Sequence, residues 1–121
     1  MDKEGIFSAF AGYKPEIKPV PVPEIGTTLY VRELDKDDDK DMSKELAEHE
    51  KAGTGFAWFA CFAVCDEKGT RLFSEKDVNR VDNLPRKVLR RLWDVAAKLN
   101  GLTREAQEEL EKNSTTPSTP S

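Results

Sequence analysis

Three side chains in this sequence have the reactivity for nucleophilic or redox chemistry: His49, the only histidine, and the thiols of Cys61 and Cys65. Nucleophilic catalysis needs a nucleophile, a base within reach and a group to orient the base. The two cysteines belong to the most apolar stretch of the chain, where burial raises a thiol pKa and quiets it. His49 stands apart, in a charged helical stretch. A zinc site would draw on Cys61, Cys65, His49 and one carboxylate. A spacing of four within one apolar helix, with no second CxxC-type pair, does not fit structural zinc patterns. The acidic run 35–41 (DKDDDKD) invites a calcium reading. An EF-hand loop from Asp37 would place Asp39, Asp41 and Glu48 at ligand positions, but Met42 falls where the sharp turn calls for glycine. Lys36, Lys40 and Lys44 also neutralise the run. Gly53-Thr54-Gly55 lacks the lysine and the strand-to-helix context of a phosphate loop. With 23 acidic residues mostly in charged runs, no carboxylate pair is singled out for acid–base work. The expectation is a protein that is not an enzyme, with no catalytic residue, metal or cofactor.

Composition narrows the alternatives. A chain of 121 residues has room for one domain with a modest core, and 37% hydrophobic against 35% charged residues implies that part of the length is not folded. A net charge of −4 argues against nucleic acid as the primary partner. The most basic cluster, Arg86-Lys87 with Arg90-Arg91, reads as a solvated helix face. Two cysteines four apart do not make a secreted framework, and Met1-Asp2-Lys3-Glu4 opens no signal peptide. The longest apolar run, 56–64, is about half of the roughly 20 residues a membrane span requires. A cytoplasmic protein with no membrane contact is expected.

The elements follow from local pattern. Residues 1–13 read as a flexible N-terminal arm carrying Ile6, Phe7 and Phe10. Segment 14–23 (KPEIKPVPVP) is an extended edge strand or a polyproline-like ligand for an SH3-type partner. Segment 28–34 (TLYVREL) is the best strand, and 17–23 with 28–34 make a hairpin through 24–27. A helix is expected over 37–51, its acidic first turn suiting the helix dipole, and Gly53 and Gly55 end it. Alanines at 57, 60 and 63 favour a buried helix over 56–64 with strand as the live alternative, and both cysteines are assigned to that helix. Asp66 to Gly69 form a turn, 70–73 is extended, and Ser74 with Asp77 resembles a capping box opening a short helix over 75–82. Asp82 or Asn83 is expected to cap the next helix, with Pro85 in its first turn. Val88, Leu92, Val95 and Leu99 mark the clearest amphipathic helix, ended by Asn100-Gly101-Leu102. A last helix over 104–112 precedes a disordered Ser/Thr/Pro tail, 113–121. The fold class is therefore α+β: an N-terminal β-hairpin, then a small bundle of four to five helices, with 14–112 as one domain.

Phe56, Trp58, Phe59 and Phe62, with Phe7 and Phe10, exceed what so small a core easily consumes, and aromatic anchors dominate interface energetics. Trp58, Phe59, Phe62 and the Leu89/Trp93 face are the candidate partner-binding residues. The order of segments also carries a resemblance, over about residues 15–113. The chain reads Leu29-Tyr30-Val31-Arg32-Glu33-Leu34, an acidic helix, an apolar run, the turn Asp66-Glu67-Lys68-Gly69-Thr70-Arg71-Leu72-Phe73-Ser74, and a helix ending Ala96-Ala97-Lys98-Leu99-Asn100-Gly101-Leu102. In this it resembles the tail assembly chaperones of long-tailed bacteriophages and prophages. The apolar run departs from the family, where Arg and Leu are common and this chain has Phe and Trp. The resemblance implies a cytoplasmic, non-enzymatic protein that holds the tape-measure protein soluble while the tail tube polymerises and is absent from the finished virion. It further implies the major tail protein and self-association as additional contacts, and often a longer frameshifted form. Competing with it are a structural tail or head-to-tail component, a small host adaptor acting through its Pro-rich segment, and a cysteine-dependent redox enzyme.

Overall fold

The computed structural model describes residues 1–102; the helix expected at 104–112 and the tail at 113–121 lie outside the described residues. Element order is α1 (Lys3–Ala11), β1 (Ile17–Val22), β2 (Thr27–Arg32), α2 (Lys36–Ala52), α3 (Gly55–Ala63), β3 (Val64–Cys65), α4 (Val78–Asp82) and α5 (Arg86–Leu99), with 3-10 turns at Pro23–Ile25 and Glu75–Asp77. The class is α+β, as the pattern predicts.

The hairpin forms where alternation and turn chemistry place it. β1 and β2 pair antiparallel from Ile17↔Arg32 to Val22↔Thr27, and β2 pairs antiparallel with β3, giving the order β1-β2-β3. The Glu16 carbonyl accepts from Glu33 N–H, so the even positions of β1 turn their backbone toward β2. Pro19 and Pro21 then fall on the outward positions, where a missing amide costs nothing and blunts the open edge. Val20 and Val22, between the prolines, are buried against the helices.

α3 (GFAWFACFA) is the centre of the molecule: from Ala57 to Ala63 every residue is buried. It begins at a two-glycine hinge. Gly53, at φ +80°, caps α2 in the left-handed region that a side chain would strain. The chain leaves the helix after Ala63, one residue before the expected end at 64, so Cys61 is helical while Cys65, expected on the same helix, lies on β3 opposite Tyr30. The reason is the C-terminal carbonyls of a buried helix, which need partners. Arg32, from β2, donates through Nε and Nη2 to the Phe62 carbonyl at 3.2 and 2.9 Å. Arg71 donates through Nε to the Cys61 carbonyl at 2.6 Å and lays its guanidinium 4.2 Å from the Phe62 ring centroid. That stacking partly offsets Arg71 Nη2, which is buried without a hydrogen-bond partner. In a helix running on through Cys65 the Cys61 carbonyl would instead accept from the Cys65 amide.

α5 closes the core with Val88, Leu89, Leu92, Ala96 and Ala97. Its start differs from expectation. Pro85 is the N-cap itself, with no side-chain cap, and the Asp82 carboxylate accepts from Arg86 at 3.0 Å. Its end is as expected: Gly101 is left-handed at φ +70°, and Leu102 N–H returns to the Ala97 carbonyl at 2.7 Å. Asn100 then ties α5 to the sheet. Its Oδ1 accepts from Leu34 N–H at 2.8 Å, and its Nδ2 donates to the Arg32 and Ala96 carbonyls at 3.1 and 2.9 Å. At the other end of α5, Arg91 makes a two-pronged contact with Glu24, at 2.9 and 2.8 Å, and Lys87 approaches to 3.6 Å.

Asn100→Ala leaves the Leu34 amide and the Arg32 carbonyl without their partner, and should cost about 2 kcal/mol in denaturant unfolding. The Arg91 fork holds the Glu24 carboxyl at about 2, down from 4.5. A lowered folded pKa stabilises above the unfolded value and is lost as pH falls through the folded one. The excess in melting temperature of the native chain over Glu24→Gln should therefore be level above pH 4.5 and shrink between 4.5 and about 2. Burial pushes the Cys61 thiol up to about 11 and raises Cys65 as well. Both should label with a thiol reagent more slowly in native protein than in denaturant at the same pH, Cys61 by roughly a hundredfold.

Candidate functional site

α2 and α5 lie on either side of α3 and diverge at its N-terminal end, leaving an open groove of about 250 Å³ lined by Leu46, Glu50, Phe56, Arg86 and Trp93, with Gly53 and Gly55 at its end. That is below the usual size of a cofactor or drug-sized ligand site, and suits apolar side chains presented by another protein. Its floor is aromatic: Phe56 stacks on Trp93 with ring centroids 5.1 Å apart, and Phe59 meets Trp93 edge-on at 4.9 Å. Phe56 remains 38% exposed, while Phe59, beneath it, is 1% exposed. The exposed ring is thus backed by a rigid one, an arrangement that lowers the entropy lost on binding.

Of the five residues the sequence singles out, Trp58, Phe59, Phe62 and Leu89 are buried. Only Trp93 is half-buried and lines the groove. Trp58 donates its indole N–H to the Met42 carbonyl at 2.9 Å and packs edge-on to Phe62, joining α2 to α3. Leu46, Glu50 and Arg86 complete the groove and are not among the sequence candidates. Leu46 gives a faint signal, as an apolar position in a helix otherwise poor in them; nothing marks Glu50 or Arg86.

The groups with chemical potential are spent on structure. His49 stacks flat on Trp58 at 4.1 Å between centroids, and its Nδ1 lies 2.9 Å from Thr54 Oγ1. That holds the hinge between α2 and α3, toward the opposite end of α3 from Cys61. The capping box is present, with the Asp77 carboxylate accepting from Ser74 N–H at 2.9 Å. Among the described residues, no three His, Cys, Asp or Glu side chains gather as a metal-holding set. No described helix is long and apolar enough to cross a membrane. A second apolar surface is carried by α1. α1, capped by Asp2 accepting from Gly5 N–H at 2.7 Å, buries none of its residues and exposes Ile6, Phe7 and Phe10. The Tyr13 hydroxyl, donating to Glu33, anchors the chain that follows it.

No protein-family model matches the chain, and no curated protein matches it. Among solved structures it is similar to the tail assembly chaperone of bacteriophage HK97, at 22% sequence identity and a TM-score of 0.57. The likeness covers 79% of this chain and 94% of that one. At this identity what the two share is the fold: the chain is built like the HK97 tail assembly chaperone.

Proposed function

We propose that this chain is a non-enzymatic tail assembly chaperone of a bacteriophage or prophage, acting in the bacterial cytoplasm. In this role it binds the tape-measure protein and keeps it soluble while the tail tube assembles. The observation that carries the reading is the extent of the fold likeness, which takes in nearly the whole of the HK97 chaperone chain. The groove supports it from the side of chemistry. A tape-measure protein must present long apolar helical stretches before the tube encloses them, and such a helix binds by laying its apolar face into a groove. Phe56 and Trp93 are the anchors for it, with Leu46 as the apolar wall. Trp58, Phe59, Phe62 and Leu89 act from beneath, by holding those anchors in place. The net charge of −4 keeps the complex soluble. The exposed Phe7 and Phe10 of α1 offer a second contact, to the same partner or to the major tail protein.

Co-expression with a tape-measure fragment tests the role. The fragment should stay soluble and co-elute with this chain on size exclusion. Phe56→Asp, at an exposed position, should leave the chain folded and cut the recovered complex about tenfold or more, the loss of a central aromatic anchor. A fragment that stays insoluble with the native chain would remove the mechanism, and an undiminished complex with Phe56→Asp would move the site elsewhere.

A further inference from the structure

Asn100 is followed by Gly101, and the two form the one Asn-Gly pair in the chain. Asparagine is a chemically labile side chain, and a following glycine has no Cβ to shield its nitrogen from the asparagine amide. The Gly101 nitrogen, on losing its proton, bonds to Asn100 Cγ. The bond from Cγ to Nδ2 breaks, and ammonia leaves. Water then opens the cyclic imide, at the side-chain carbonyl to give aspartate or at the main-chain carbonyl to give isoaspartate. Water is the one co-reactant, and nothing is oxidised or reduced.

The fold holds this pair in a geometry that opposes the first step. Ring closure needs the Gly101 nitrogen to swing over Cβ. At φ −94° and ψ 7°, Asn100 instead keeps that nitrogen nearly eclipsed with its own amide nitrogen, turned well away from Cβ. The Gly101 N–H is bonded to the Lys98 carbonyl at 3.1 Å, which holds its proton in place. The Asn100 carboxamide is itself engaged at both ends: Oδ1 accepts from Leu34, and Nδ2 donates to the Arg32 and Ala96 carbonyls. Turning Cγ toward Gly101 therefore breaks all three bonds. The reactive side chain and the tie between α5 and the sheet are the same residue.

The product does not fit the same seat. A carboxylate has no donor, so one of its oxygens would face the two carbonyl oxygens to which Nδ2 now donates. It would also add negative charge at the C-terminal, negative end of α5. Isoaspartate lengthens the main chain just ahead of Gly101, where the left-handed φ of +70° and the Leu102-to-Ala97 bond depend on the present register.

We propose that Asn100 is a self-modification site gated by the fold, kept as the amide while α5 is tied to the sheet and converted to the acid in chains whose α5 end has opened. Converted chains cannot remake the joint, so a passing local opening becomes a lasting one. The rate of conversion follows the population of the open end. The site is independent of the docking role proposed above.

Peptide mapping of the full-length chain tests the gate, with samples incubated at one pH and temperature in native buffer and in denaturant. The readout is the mass gain of amide-to-acid exchange at Asn100, with Asn79 and Asn83, followed by Arg80 and Leu84, as internal references. In denaturant, conversion at Asn100 should outpace both references. In native protein it should be about thirtyfold slower or more, the factor that matches the cost assigned above to losing its hydrogen bonds. Equal rates in the two conditions would overturn the gate, and no excess over the references in denaturant would overturn the site. Asn100→Asp in the full chain then tests the lasting effect: it should raise the unfolding equilibrium constant about tenfold or more. A variant as stable as the native chain would show the joint re-forming around an acid and would overturn that part. The conversion rates are measured on the native sequence and do not depend on the variant folding.

Discussion

A helix with apolar side chains on every face exists only where every neighbour is protein, and α3 imposes that condition on the rest of the chain. Burying Trp58, Phe59 and Phe62 contributes about 2–3 kcal/mol each, which makes the helix the main source of stability in a small core. The same burial takes its C-terminal carbonyls away from water, and each one left unpaired would cost about 1–3 kcal/mol. Two or three such losses would cancel the gain from one aromatic ring. Arg32 and Arg71 prevent them, each bonding one carbonyl at the negative end of the helix. The positions of both arginines then fix other parts of the fold. Arg32 is the last residue of β2, so the hairpin must lie alongside the end of α3. Arg71 must follow β3 closely, so the chain turns back through Asp66 to Gly69 and bridges Cys65.

From that end the remaining contacts propagate. Arg32 also pairs with Asp38 in the first turn of α2, and its carbonyl accepts from Asn100 at the end of α5. One residue of β2 therefore touches three helices. Asn100 completes the joint by accepting from Leu34, just past β2. The far end of α3 has no such clamp. There His49 and Thr54 fix the α2–α3 hinge, while α2 and α5 separate and leave Phe56 partly exposed. The molecule is tied at one end of its central helix and open at the other, and the open end holds the groove.

Much of this was legible because it depends on near neighbours in sequence. Proline at every second position of 19–23 marks an edge strand, the Ser74–Asp77 pair opens a turn, and Asn100-Gly101-Leu102 stops α5, all by local chemistry. The spacing of Val88, Leu92, Val95 and Leu99 needs only the helical period. What pattern misses is set at a distance. Cys65 continues the apolar run of α3, and only arginines at 32 and 71 decide that the helix must stop before it. Pro85 is the N-cap because the two expected caps, Asp82 and Asn83, are taken up as the last residue and the C-cap of α4. The aromatic run gave too many candidates for the same reason: side chains three and four apart on an all-apolar helix look alike, and only the placement of α2 and α5 separates buried Phe59 from exposed Phe56.

The division between the two phenylalanines also bears on how a sticky surface can be built from a short segment. A flexible aromatic on an exposed loop would lose much of its binding energy to ordering. Phe56 avoids that loss because its ring is stacked on Trp93, and Trp93 is braced edge-on by Phe59. Phe59 in turn belongs to the core that the two arginines close. The anchor at the open end of α3 is thus held by the same packing that the clamp at the other end makes affordable. Loosening Arg32 or Arg71 would reach the groove through α3 itself, without altering any residue that lines it.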